Sequence, residues 1–228
     1  MAKIRELLLP YQDENTIEIG VDEVGLGCLA CSLAVGVVIL DPCLIDTDDP
    51  NYKLIRDSKT LSEKQRKVAR TYIEEELAAY SHVEFGSAKE IDQYNVLQAN
   101  FNAMHRALDK VCNEYMNPEK ILVDGDRFRK YKEIPYECVT KGDNIYASIA
   151  AASILAKTYR DEYIERLCDD DPSLNEKYGW RSNKCYGTRK HMDGLKKYGV
   201  TEHHRMSFEP CSKYMSKQHT DIYSRHYS

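Results

Sequence analysis

Short apolar runs punctuate this chain at intervals that suit strands. Residues 17–21, 33–40, 83–86, 121–124 and 135–139 are rich in β-branched and other apolar side chains and are bounded by polar or glycine-containing stretches. This pattern predicts five strands, some of them deeply buried.

Four other segments, 62–80, 96–115, 145–167 and 190–198, carry apolar residues at helical spacing. The first opens with Ser62 and has a glutamine three residues later, a pattern typical of a helix N-terminus. Strands and helices therefore alternate, which predicts an α/β fold.

The length of 228 residues suits one large domain that can bury a core without disulfide bonds. We place that domain at 1–211, and residues 212–228 read as a polar tail because they lack apolar periodicity. No apolar stretch approaches the roughly 18 residues of a membrane span. The opening of the chain does not resemble a secretory signal either, so the sequence predicts a soluble, cytoplasmic protein.

Eight cysteines are scattered along the chain, which indicates reduced thiols rather than a disulfide framework. Cys28 and Cys31 form a lone CxxC pair. Without a second pair or a histidine at ligand spacing, packing is favoured over a zinc or redox role.

The net charge of −5 argues against binding nucleic acid by charge alone, but the charge is unevenly distributed. Residues 177–205 contain eight Lys or Arg against two acidic residues. This segment predicts a basic patch on an acidic body. The alternative is a solvated helix with charged flanking loops.

Acidic residues follow two of the predicted strands. Asp22 and Glu23 come after the first, before a glycine-containing turn, and both could serve one metal only if the strand ends or bulges there. Asp124 follows the apolar run 121–123, where an unpaired charge is costly and a cation is favoured. The alternatives are a surface dipeptide for the pair and a turn residue for Asp124, with Asp126 as a lower-ranked competitor.

A fourth acid, Asp143, directly precedes the long helix at 145–167. It is either that helix's N-cap or a further carboxylate brought to the strand ends. Four acids from three segments would suit hard cations such as Mg²⁺, and paired ions suit in-line displacement at phosphorus.

Several short motifs, taken in order, resemble the type 2 ribonuclease H family, ribonuclease HII. They are GVDEVGLG at 20–27, DSK and LSE within 57–63, VDG at 123–125, KGD at 141–143, SIAAASILAK at 148–157, RD at 160–161, YGT at 186–188 with His191, and HR and SF within 204–208.

The resemblance implies a mixed β-sheet flanked by helices, with a C-terminal helical portion. It implies a substrate of RNA/DNA hybrid or duplex DNA with embedded ribonucleotides, cut on the 5′ side of a ribonucleotide to leave 3′-hydroxyl and 5′-phosphate ends. Two Mg²⁺ or Mn²⁺ ions would serve catalysis. By the same resemblance, the catalytic and metal-binding residues are Asp22, Glu23, Asp124 and Asp143, with Asp161 as a supporting acid.

Substrate contacts are also implied by the resemblance. In the family, a turn whose usual sequence is Gly-Arg-Gly approaches the ribose, and a tyrosine stacks on the neighbouring sugar. Six basic positions match the family's motifs, and each of them either contacts phosphates, anchors the acids or forms a surface or structural ion pair: Lys59, Lys141, Lys157, Arg160, Lys184 and Arg205. The substrate-binding residues implied here are Gly25, Leu26, Gly27, Lys59, Lys184, Tyr186 and Arg205.

Leu26 departs from the family pattern, because it stands where the arginine is usual. This leaves open a sister nuclease of the same fold that cuts longer hybrids and recognises single ribonucleotides poorly. A non-catalytic nucleic-acid-binding protein is the other alternative, and the four retained acids argue against it. The sequence does not identify a protein partner, and a monomer is expected.

Overall fold

The structure, a computed structural model, describes residues 7–13 and 15–216. Most of the tail beyond 211 thus lies outside the described residues. Its five strands are β1 (Glu18–Val24), β2 (Leu33–Leu40), β3 (Ala78–Gly86), β4 (Lys120–Asp124) and β5 (Tyr136–Val139). Its helices are α1 (Glu63–Tyr72), α2 (Ala88–Tyr94), α3 (Val96–Glu114), α4 (Ala147–Asp170), α5 (Pro172–Tyr178), α6 (Trp180–Asn183), α7 (Arg189–Tyr198) and α8 (Glu209–Ser212).

The five strands form one mixed sheet in the order β3-β2-β1-β4-β5, which confirms the α/β prediction. Strands β1, β4 and β5 run parallel, with Val21 opposite Val123 and Asp124 opposite Val139. The carboxyl ends of these three strands therefore meet at one edge of the sheet.

The predicted helix at 62–80 is wrong at its C-terminal end. Its N-terminus is as expected, since Ser62 and Gln65 form a reciprocal capping box. Helix α1 stops at Tyr72, a single π-helical turn follows over Ile73–Leu77, and β3 starts at Ala78. Sheet pairing beside β2 overrides the local helical pattern here.

Four short helices have no counterpart in the sequence prediction: α2, α5, α6 and α8. Each has seven residues or fewer, which is too short to show helical periodicity. No helix in the described part of the chain is long and apolar enough to cross a membrane.

The chain divides into two compact units. The first comprises residues 1–24, 35–84 and 103–158, and the second comprises 25–34, 85–102 and 159–228. The expectation of one domain over 1–211 followed by a tail stays a prediction.

The first unit is organised by a very close approach of helix α4 to the sheet. A Cβ atom on Gly20 of β1 would lie 2.3 Å from the backbone carbon of Ser148, and one on Gly36 of β2 would lie 2.2 Å from the carbonyl oxygen of Ala152. The facing segment of α4 is alanine-rich and fully buried. Only glycine on the strands and small residues on the helix allow this spacing.

The second unit has its own core, in which three histidines and aromatic rings pack together. The rings of Tyr178 and Trp180 stack with centroids 5.6 Å apart, and both contact the rings of His191 and His204. The buried apolar residues around them are Cys28, Leu29, Ala30, Cys31, Ile164, Cys168, Leu174, Cys185, Leu195, Val200 and Cys211.

We predict that Gly36→Ala lowers the free energy of unfolding by about 2–3 kcal/mol, because the added methyl overpacks a contact with helix backbone. Urea denaturation measures the loss. Gly27→Ala is the matched control, since a Cβ there meets nothing within 4 Å. Equal stability of the two variants would contradict the close approach of α4.

Candidate active site

Asp22 and Glu23 lie inside strand β1, which continues to Val24. The expected strand end at 21 is therefore wrong, and the strand stops three residues later because Gly25 turns the chain with a φ of +92°. Asp22 is buried, whereas Glu23 is half-buried. The backbone N–H of Glu23 donates to Asp22 Oδ1 over 2.7 Å.

Asp124 is the last residue of β4. Its Oδ1 accepts a hydrogen bond of 2.7 Å from the backbone N–H of Gly142. This bond ties the end of β4 to the segment that carries Asp143. The competitor Asp126 is exposed and lies beside Arg127, 3.7 Å from its Nε. Its exposure supports the choice of Asp124.

Asp143 sits in a 3-10 turn, Gly142–Asn144, and is buried. Helix α4 begins only at Ala147, so the N-cap alternative for Asp143 is wrong. The carboxylate accepts a 2.7 Å hydrogen bond from the side-chain amide of Asn144 instead.

Burial and neighbouring charges raise the pKa of two of the four acids, Asp22 and Asp143. Burial raises the pKa of Asp22 well above its ordinary value, and the charges of Glu23 and Asp124 raise it further, against hydrogen bonds from Ser153 and from the Glu23 backbone. Burial also raises the pKa of Asp143, and Asp124 adds to the effect. Such mutual repulsion among buried carboxylates favours a bound cation.

The donor set is composed of carboxylate oxygens, which are the ligands that Mg²⁺ and Mn²⁺ prefer. Within residues 7–13 and 15–216, however, no group of three or more His, Cys, Asp or Glu side chains has the arrangement needed to hold a metal ion. Internal hydrogen bonds engage one oxygen each of Asp22, Asp124 and Asp143. The site thus has the donor chemistry and electrostatics for a divalent cation without the ligand spacing.

Lys59 belongs to the same unit as the acids. It is exposed, in a short 3-10 turn whose N-terminus is capped by the Asp57 side chain. Its positive charge lowers the pKa of Asp143, which opposes the larger effect of burial. Lys59 is therefore a cation near the acids whose side chain is open to a ligand.

The turn at Gly25–Gly27 and the residues that follow it to Ser32, in the second unit, are held from inside by two arginines. Arg205 Nη1 donates to the carbonyl oxygen of Leu26 over 2.8 Å, and its Nε donates to that of Cys31 over 3.0 Å. Arg160 Nε donates to the carbonyl oxygen of Ser32 over 2.8 Å. A Cβ on Gly25 would lie 2.4 Å from Arg160 Nε, so glycine is required there on steric grounds as well.

Arg205 does not fit the direct substrate contact expected from the sequence. It is fully buried, and burial lowers the pKa of its guanidinium to about 10. The terminal nitrogens Nη2 of Arg160 and Arg205 are buried and have no hydrogen-bond partner among the described atoms. Arg205 therefore acts on the backbone of the turn, and Arg160 on the backbone of Ser32 and Lys184, rather than on a ligand at the surface.

Lys184 and Tyr186 lie on a second loop of the same unit. Lys184 is mostly buried and forms an ion pair with Glu165, which also binds Arg181. Its charge is thus largely engaged within the protein. Tyr186 is 41% exposed, and its backbone bridges to Cys28 next to the turn. Of these two residues, the tyrosine has the more accessible side chain.

The predicted basic segment contains both paired and exposed cations. Helix α7 carries four exposed ones, Arg189, Lys190, Lys196 and Lys197, with Asp193 as its exposed acid. Arg189 Nε is 3.8 Å from an Asp193 oxygen and 96% exposed, so this pair is weak. The exposed cations of α7 support the basic-patch interpretation better than Lys184 or Arg205 do.

Cys28 and Cys31 are buried cysteines of the second core, and neither forms a disulfide. This agrees with a packing role for the CxxC pair. Asp161 is also buried within α4.

Sequence reasoning missed the roles of His191, His204 and Arg160. His191 and His204 are buried and hydrogen-bonded to each other, and Arg160 is fully buried beneath the turn. All three occur in the short motifs, but a motif does not distinguish a ligand from a residue that holds the backbone.

A cavity of about 280 Å³ in the first unit lies away from the acids. Its lining includes Tyr11, Glu18, Asp41 and Tyr115 and none of the residues predicted for the site.

Comparisons with known proteins agree with the fold and with the resemblance of the motifs. A family model described as Ribonuclease HII matches residues 19–211. A ribonuclease HII of Bacteroides thetaiotaomicron is 47% identical over 202 residues, covering 89% of this chain and 94% of that protein.

Solved structures are similar in fold at lower identity. The ribonuclease H2 of Pyrococcus horikoshii OT3 matches with a TM-score of 0.67 at 24% identity, over 92% of this chain and 98% of that one. Bst-RNase HIII in complex with Mn²⁺ matches with a TM-score of 0.64 at 19% identity, over 94% of this chain and 72% of that one. The predicted fold is confirmed, and the chain belongs to the ribonuclease HII family, nucleases that hydrolyse the RNA of RNA/DNA hybrids.

Proposed function

We propose that this protein incises duplex DNA at embedded ribonucleotides as well as cutting RNA/DNA hybrids. Cleavage falls on the 5′ side of the ribonucleotide and leaves 3′-hydroxyl and 5′-phosphate ends. The observation that carries the proposal is the cluster of Asp22, Glu23, Asp124 and Asp143 at the carboxyl ends of parallel strands. The carboxylates of this cluster repel one another, and a bound cation relieves that repulsion.

Two divalent ions, Mg²⁺ or Mn²⁺, would supply an activated water and neutralise the leaving oxygen. The four acids supply the carboxylate oxygens that would hold them once the side chains rotate to the ions, and the related Bst-RNase HIII was solved with Mn²⁺. The Gly142 N–H joins Asp124 to the residue directly before Asp143, which ties the two segments together. Glu23 and Asp124 are half-buried, so both have access to solvent.

Residues of the turn and the second loop recognise the sugar and phosphates in this proposal. The backbone of Gly25–Gly27 reads the 2′-hydroxyl, since Arg205 fixes the Leu26 carbonyl and thereby the orientation of the turn. Tyr186 stacks on the neighbouring sugar. Lys59 and the exposed cations of α7 contact phosphates, and Lys184 assists from its ion pair with Glu165.

Arg205 is assigned a different task from the one expected. It positions the Leu26 carbonyl from within the core and does not itself bind a phosphate. Substrate binding would suffer on its removal through the turn that it holds.

We predict that Asp124→Asn abolishes cleavage of a ribonucleotide-containing duplex in Mg²⁺, because it removes the ligand charge and keeps the shape. A gel assay of cleavage, with duplex binding measured separately, checks this. Asp126→Asn is the control and should cleave normally, since Asp126 is exposed. Near-normal turnover by Asp124→Asn would refute the site assignment.

We predict that Asp22→Asn increases the free energy of unfolding at pH 7 with a chelator, on the order of 1 kcal/mol, by removing a carboxyl group whose ionisation burial and neighbouring charges oppose. Stability of the unsubstituted protein should fall as pH rises above 3.8, the ordinary pKa of Asp, because the folded state retains a proton that the unfolded state has lost. The variant should lose that part of the pH dependence.

Mn²⁺ should raise the Tm of the unsubstituted protein and raise that of Asp22→Asn less. Asp126→Asn should change neither the free energy of unfolding measured with a chelator nor the shift in Tm that Mn²⁺ causes. If Asp22→Asn instead lowers the free energy of unfolding in the presence of a chelator, repulsion among the carboxylates is not what limits the stability of this site.

Leu26 favours a second candidate, a nuclease that prefers longer hybrids to single ribonucleotides. Its side chain is half-buried and its carbonyl is held by Arg205, so the backbone of the turn does not depend on the residue at 26. An arginine there would add a charge-assisted phosphate contact. We predict that Leu26→Arg raises cleavage at a single ribonucleotide by about tenfold or more, as expected for a contact of roughly 1.5–3 kcal/mol.

The measurement compares a duplex with one ribonucleotide, a full hybrid and all-DNA, with Leu26→Met as the uncharged control. All-DNA should remain uncut by every form. If the arginine gives no gain in cleavage, another residue already supplies the phosphate contact. Cleavage of all-DNA would refute selection of the ribose by the backbone of the turn.

A further inference from the structure

We infer that His191 is a positioning residue that fixes the backbone of Tyr186 for ribonucleotide recognition. The inference rests on the role proposed above for Tyr186. His191 lies in the first turn of α7 and is fully buried. Its Nδ1 is 3.1 Å from the backbone carbonyl oxygen of Tyr186.

The protonation of the His191 ring follows from its partners. A carbonyl oxygen can only accept a hydrogen bond, so Nδ1 carries the proton and donates to Tyr186. The other nitrogen, Nε2, must then be an acceptor. It receives a hydrogen bond from the indole N–H of Trp180, 3.2 Å away.

His204 completes the orientation of the ring. The backbone N–H of Thr201 donates to His204 Nδ1 over 2.9 Å, so the His204 proton is on Nε2. That nitrogen lies 3.1 Å from His191 Nε2 and donates to it. Donors therefore run in one direction, from Thr201 through the two histidines to the Tyr186 carbonyl. A flipped His191 ring would lose all of these contacts.

The segment that His191 holds needs such support. Lys184 and Cys185, directly before Tyr186, adopt left-handed backbone conformations with φ of 47° and 68°. Residues other than glycine rarely adopt this backbone conformation, so the surrounding contacts must stabilise it. The Tyr186 N–H donates to the Asn183 carbonyl over 2.9 Å, and its own carbonyl also accepts from Thr188 over 2.8 Å. His191 adds the bond that joins this strained loop to the buried core.

Two substitutions distinguish the hydrogen bond made by Nδ1 of His191 from the contacts made by its Nε2. His191→Asn places an amide N–H near the position of Nδ1 and keeps the bond to Tyr186, but it loses the contacts with Trp180 and His204. His191→Gln places its amide near Nε2, so it keeps the contacts with Trp180 and His204 and loses the bond to Tyr186. Both variants cost stability, whereas only the glutamine releases Tyr186.

The experiment measures kcat/KM on a duplex with one embedded ribonucleotide, well below the Tm of each variant. His191→Gln should lower kcat/KM roughly fivefold, the effect of one hydrogen bond, and His191→Asn should stay within about twofold of the unsubstituted protein. Trp180→Phe is the control for stability, because it weakens the core around His191 without touching Tyr186. If glutamine does not fold at 191, His191→Ala replaces it in the same comparison.

A double-mutant cycle with Tyr186→Ala tests whether His191 acts through that tyrosine. In the Tyr186→Ala background, His191→Gln should cause no further loss of kcat/KM. Equal losses for asparagine and glutamine at 191, or a glutamine loss that persists without Tyr186, would overturn the inference. No effect of Tyr186→Ala alone would instead refute the proposed sugar contact, and the positioning role with it.

Discussion

The contact on which the first unit depends is the close approach of helix α4 to strands β1 and β2. Gly20 and Gly36 leave the strands without side chains where the helix backbone meets them, at separations that no Cβ tolerates. The consequence extends to the acids. Gly20 is two residues before Asp22, and Ser153 on the same helix hydrogen-bonds the Asp22 carboxylate. The packing that builds the core therefore also determines how deeply the first acid is buried.

Burial of these acids is unfavourable for folding and useful for function. Desolvation and repulsion both disfavour the ionised forms of Asp22 and Asp143. Without a cation, ionisation of these two side chains therefore lowers the free energy of unfolding. Each carboxylate meanwhile keeps a hydrogen bond from a nearby N–H, which limits the cost. A site of this kind gains binding energy for a divalent ion from repulsion that the fold already contains.

The strands and the long helices were predictable because their apolar periods are strong. The acids stood out as charges at the ends of apolar runs, although Asp22, Glu23 and Asp124 lie inside the strands and their metal-binding role stays a prediction. The sequence did not show where helix α1 gives way to β3, since Glu74–Glu76 continue a helical pattern that sheet pairing then ends. It also left open whether Arg205 contacts a phosphate or supports the structure, because the burial that separates these two roles is a property of the fold.

Both recognition loops of the second unit are supported in the same manner, by buried polar side chains that donate to backbone carbonyls. Arg205 holds Leu26, Arg160 holds Ser32 and Lys184, and His191 holds Tyr186. Because these contacts are made to the main chain, they do not depend on which side chain stands at the held position. Leucine can therefore replace the usual arginine at 26 without loss of the turn, and what changes is the chemistry that the turn presents to a phosphate. Under the proposed function, selection for the sugar and affinity for the substrate phosphates are separable, since the first would belong to the main chain and the second to individual side chains.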